Sequence, residues 1–235
     1  MSWAAIYKEL LARPAGWIAA GLFYLASVPL FAFLTEMVSE ADYFEYIAIF
    51  EVAGLVLFAL YAFPTLRYLV RGRVELGSAR WALWSMVAAA LLVLTNALTV
   101  PAYLALYMLD AELIFFLEPR WMEALLISLI SAFLLGLDVW LVGVILGRKR
   151  PGFRECHQFV WGERKAVFAV YLVLSMVDFV ISYGVASIVE SWGTLEQEIL
   201  YSARYAFFTW CLSLFVVALY IDLVESQQNV AEVFE

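Results

Sequence analysis

Three acidic residues and one amide interrupt long apolar runs of this 235-residue chain: Glu51, Asn96, Asp138 and Asp178. Asp178 has company. Tyr171, Ser175, Asp178 and Ser182 step by four, three and four, which puts them on one face of a helix. A carboxylate at the centre of a lipid-buried helix costs about 2.5–3.5 kcal/mol even on a lenient insertion scale. Such groups are therefore expected to face other helices, either protonated or paired. Two chemistries follow. A proton or cation path would run through Asp178, Asp138 and Asn96, with Ser175 and Ser182 on its wall. The same groups could instead hydrogen-bond helices, or a partner subunit, together.

Only one cation stands near these acids. Arg204 enters its apolar run from the same side as Glu51, so the sequence predicts a buried Glu51–Arg204 ion pair. By helical rise, Asp178 sits ~18 Å and Asp138 ~15 Å from one boundary, and Glu51 ~10 Å from the other. Neither aspartate has a basic residue at its expected depth. Helices joined by one loop are usually neighbours, so Asp138 and Asp178 are expected to face each other and share a proton.

The elements that must position these residues follow from composition. With 66% hydrophobic and 15% charged residues, the chain reads as an all-α, polytopic integral membrane protein. Roughly 20 apolar residues cross a bilayer core. Six runs meet that length, at residues 15–36, 44–66, 81–107, 122–147, 166–189 and 200–223. Residues 1–13 read as a short interfacial amphipathic helix, with Trp3, Ile6, Leu10 and Leu11 recurring at helical spacing. Residues 14–224 form the six-helix transmembrane domain, and 225–235 an acidic, frayed cytoplasmic tail. The first span is expected to be retained, because its apolar stretch is too long for a cleaved leader.

Charge sets the orientation. Of fourteen basic residues, all but Arg120 and Arg204 fall before the first span, between the second and third, or between the fourth and fifth. The other connections are acidic. Basic loops stay cytoplasmic, which predicts both termini inside, in a prokaryotic cell membrane. The basic stretches 67–80 and 148–165 are the expected contacts for other protein subunits, besides the lipid bilayer itself. A net charge of −8 argues against nucleic acid as a partner.

Cys156-His157, in the loop 148–165, supplies too few ligands for zinc, which takes four first-shell positions. A surface role in the loop is expected for both, with no metal and no cofactor. Two cysteines, one in a loop and one in a span, do not suggest a disulfide framework. A paired-aspartate intramembrane enzyme is chemically conceivable, since two coupled carboxyls can do acid–base work. No flanking motif backs it, and no catalytic residue is assigned.

Residues 5–33, AIYKELLARPAGWIAAGLFYLASVPLFAF, resemble the opening of permease subunits of type-2 ATP-binding-cassette transporters. Those begin with an interfacial helix of the Tyr-Lys-Glu-Leu type, a proline and the first of six spans, with both ends inside. Two departures are visible: Arg67–Arg80 is shorter than their cytoplasmic coupling segment, and Ser191–Glu198 is too short for their outer re-entrant helices. The resemblance implies transport with a separate ATPase as partner, consistent with a chain lacking a GxxxxGK phosphate-binding loop. The expectation is therefore a membrane transport component, permease-like and working with a partner chain. The alternative is a non-catalytic integral subunit of a larger complex such as a respiratory assembly.

Overall fold

The computed structural model describes residues 2–38, 119–146, 151–163, 165–189 and 194–234, with the single residues 68 and 192. The expected second and third spans, Glu51 and Asn96 therefore lie outside the described residues. The described residues are all-helical, with no strand among them. In chain order they form α1 (Trp3–Leu11), α2 (Pro14–Val38), α3 (Pro119–Ile145), α4 (Phe153–Gln158), a π-helical turn (Phe159–Glu163), α5 (Lys165–Val189) and α6 (Thr194–Phe234).

Local sequence starts these helices where it should. Pro14 and Pro119 take the first helical position, where a missing N–H costs nothing. α4 opens at Gly152, whose N–H donates to the Glu155 carboxylate three residues on, at 2.7 Å. α2, α3 and α5 have 25, 27 and 25 residues, or ~37–40 Å at 1.5 Å per residue. By length and hydropathy together, one stretch among the described residues suffices to cross a bilayer, Ser202–Gln227 within α6. Shorter apolar helical stretches occur at Pro14–Ala26, Ala132–Ile145 and Ala166–Asp178.

α6 is the axis of the fold. It touches α1, α2, α3 and α5, and every residue from Leu214 to Tyr220 is buried. A helix apolar all round has to be covered all round. Its neighbours use glycines to come close. Gly16 of α2 lies directly under the Trp210 indole, and a side chain at Gly143 of α3 would stand 3.2 Å from the Tyr220 ring. The Tyr24 hydroxyl on α2 adds a 3.3 Å hydrogen bond to Thr209 Oγ1.

α5 has two faces. Tyr171 is buried towards α6, where its ring centroid lies 5.8 Å from that of Phe215. The opposite face shows Val170, Val173, Val177, Val180 and Ile188 to the outside, with Val173 59% and Ile188 64% exposed.

Two placements differ from expectation. The apolar stripe of α1 is spent on α6: Ile6 and Leu10 are buried, Trp3 packs edge-on to Phe215 at 5.4 Å and Tyr7 at 5.9 Å, while Leu11 is exposed. Burial, and after it the Cys211 thiol that accepts its hydrogen bond, pushes the Tyr7 phenol up to about 12. The acidic tail continues as helix to Phe234. At 41 residues, α6 runs ~60 Å.

Candidate functional site

The polar stripe of α5 gathers the candidate residues, with a partner from a different helix at each end. At one end, Arg204 Nη1 of α6 donates to Asp178 Oδ1 at 3.0 Å and approaches the Asp178 carbonyl at 3.5 Å. The arginine side chain is 8% exposed and the aspartate 28%. Asp178 therefore does have a basic partner. The expectation placed Arg204 near the outer end of a span beginning at residue 200, whereas α6 begins at Thr194. Ten residues of helix put Arg204 ~15 Å along α6 from its start, level with Asp178 across the α5–α6 turn. Glu51, its expected partner, is outside the described residues.

At the other end stands Asp138 of α3. It is half-buried. Tyr171 lies seven residues before Asp178, or ~10 Å along the helix. Asp178 takes Arg204 as a partner, where the sequence expected Asp138. Ser175 lies between Tyr171 and Asp178, half-buried. Ser182 belongs to the α5 backbone and its side chain is outside those described; Asn96 is outside altogether.

The arrangement is a file of oxygen-bearing groups closed at one end by a guanidinium. Asp138 and Asp178 can each take or give a proton. The Tyr171 and Ser175 hydroxyls can both donate and accept. Tyr171 gains most in importance from the structure, since its place on the stripe was legible but its neighbour Asp138 was not.

The basic segment 148–165 is more than a surface loop. Phe153, His157 and Trp161, spaced by four, meet α3 in reverse order. Phe153 faces Trp140 at 6.0 Å and Trp161 faces Phe133 at 5.3 Å. A side chain at Gly136 would stand 2.9 Å from the His157 Cα. The segment therefore folds back along α3 instead of standing off in solvent. Cys156 is fully buried and His157 half-buried, which corrects the surface role expected for both. Burial, then the charge of Glu155, pushes the Cys156 thiol up to about 12. No family model, curated protein or solved structure matches the chain.

Proposed function

We propose that the protein is a membrane transport component, a permease-like subunit of six spans with both termini cytoplasmic, working with a partner chain in a prokaryotic cell membrane. The observation that carries this reading is the file from Asp138 through Tyr171 and Ser175 to the Asp178–Arg204 pair. It lies on the inward face of a helix whose other face is apolar and exposed. Ionisable groups facing the interior of a membrane bundle mark ion and proton pathways by default. The basic stretches 67–80 and 148–165 suit a cytoplasmic partner such as an ATPase.

In reconstituted vesicles, Asp178→Asn is expected to abolish flux while the protein still purifies with its partner. Unchanged flux sinks the reading. A second reading, a non-catalytic integral subunit of a larger complex, draws on the same ion pair. Arg204 and Asp178 hold α5 to α6 whether or not anything moves past them, and loss of assembly in Asp178→Asn would favour it. The third reading, a paired-aspartate intramembrane enzyme, would need the two carboxyls in contact; the partner shown for Asp178 is Arg204.

A further inference from the structure

We infer that lipid hydrocarbon meets this molecule in an apolar belt that stops at the level of Cys211, well short of Leu223. From that level towards the end of α6, α1 and α4 form a charged collar set among headgroups and water. This rests on the membrane reading above. The register between helices is the starting point. Gly16 lies under Trp210, so α2 begins level with residue 210 of α6. Tyr171 meets Phe215 and Asp178 meets Arg204, which lays α5 alongside residues 204–215. Gly143 lies beside Tyr220, and α3 runs the same way as α6 in the proposed topology. Phe133, ten residues before Gly143, is therefore level with residue 210.

Exposed apolar side chains collect on one side of that level. Leu22 and Leu25 on α2, Leu129 and Phe133 on α3, and Ile199 and Phe207 on α6 are 39–62% exposed. Only α5 carries its row a little further, to Val170 at 37%. On the other side of the level, α6 shows no exposed residue from Phe208 to Ser226, and α3 none from Leu134 to Leu146. What faces outward there is mostly polar: Lys8 and Glu9 on α1, and Arg154, Glu155 and Gln158 on α4. Both short helices dock at one height. Trp3 and Tyr7 of α1 pack on Phe215. Phe153 and His157 of α4 pack on Trp140 and Gly136 of α3, which are level with residues 217 and 213 of α6. Leu11 and Phe153 are exposed exceptions, but single apolar side chains are ordinary on a wetted surface.

Length decides where hydrocarbon ends. From Thr194 to Cys211, α6 rises ~26 Å, close to the ~30 Å of a hydrocarbon core. From Thr194 to Leu223 it rises ~43 Å, and a usual tilt of ~20° still leaves ~41 Å. Hydrocarbon reaching Leu223 would also cover the charged faces of α1 and α4. Short helices with one apolar and one charged face lie at headgroup level. Ser202–Gln227 is apolar enough to cross a bilayer, but its stretch from Leu214 to Tyr220 is buried. Protein covers that stretch, and hydropathy does not distinguish protein from lipid.

The test places single cysteines on the full chain and follows their labelling by a water-soluble maleimide. Membrane fragments open on both sides are used, so that orientation plays no part. Lys8→Cys and Gln158→Cys stand on the collar; Leu22→Cys and Val177→Cys stand on the belt. All four positions are exposed, while the native Cys156 and Cys211 are buried. Maleimide reacts with thiolate, which an apolar setting withholds, so collar thiols are expected to label at least ~10-fold faster than belt thiols. Slow labelling at either collar position overturns the inference and leaves the membrane reading standing. Fast labelling at both belt positions removes the lipid belt, and the membrane reading falls with it. A variant that does not accumulate is replaced by one at an exposed neighbour on the same helix, Glu9 or Glu155 for the collar, Ile18 or Val180 for the belt.

Discussion

Arg204 and Asp178 illustrate how a buried ion pair should be weighed. Removing one partner leaves the other charge buried and uncompensated, at a cost of about 3–5 kcal/mol; replacing both with apolar groups of similar volume is often neutral. The two residues come from neighbouring helices and meet at 3.0 Å, so the rule applies to the α5–α6 contact. Asp178→Leu and Arg204→Met are each expected to lower the thermal midpoint of the purified protein markedly. The double variant should recover most of that loss, because neither charge is then stranded. A loss in the double variant equal to the sum of the two single losses would mean that the residues act independently and that the 3.0 Å contact carries little. The same double variant should not recover flux. A packing role survives the swap, whereas a proton carrier does not.

At the scale of the elements, the apolar runs were legible because each needs only length and freedom from charge. Residues 15–36, 122–147 and 166–189 became helices at 14–38, 119–145 and 165–189. The turn between α5 and α6 was less legible, and that small error in α6 misplaced Arg204 by a turn and a half and hid its partner. The fold-back of 153–163 had a signal that charge obscured. Cys156, Phe159 and Val160 are spaced as the apolar face of a helix, and all three are buried. Gly136 makes that docking possible, since a side chain there would meet the His157 backbone at 2.9 Å. Gly136→Val is therefore expected to lift α4 from α3 despite valine's better helix propensity. Cys156 reports the change. Its pKa is raised on folding, so the folded state holds the thiol proton more tightly. The resulting stabilisation is complete below the ordinary thiol range and is lost as pH climbs towards about 12. At pH 8 the folded protein therefore offers far less thiolate than an ordinary cysteine. Maleimide should label Cys156 slowly in the wild type and far faster in Gly136→Val. Equal rates would show that α4 stays down and the glycine is dispensable.

At the scale of the whole molecule, the proposed membrane setting constrains α6 most. Its 41 residues run about twice the ~30 Å of a hydrocarbon core, so in that setting part of it would project, and charge says which part. With Leu223 at the inner boundary, the α1 contacts at Cys211 and Phe215 fall ~12–18 Å inside it. α1 would then be a buried brace on the central helix, where sequence periodicity alone pointed to a headgroup-level float. Periodicity shows that a helix has an apolar face; it does not say whether lipid or protein covers that face. The proposed orientation can be tested without disturbing any of these contacts. Arg154 is exposed on α4 while both native cysteines are buried, so a thiol placed there should outpace Cys156 and Cys211 in any labelling reaction. In Arg154→Cys, a membrane-impermeant maleimide is expected to react in inside-out vesicles and not in intact cells. Labelling of intact cells would reverse the orientation. It would also put α4 and its basic flanks on the outer surface, beyond the reach of a cytoplasmic ATPase, and the permease-like reading would fall with it.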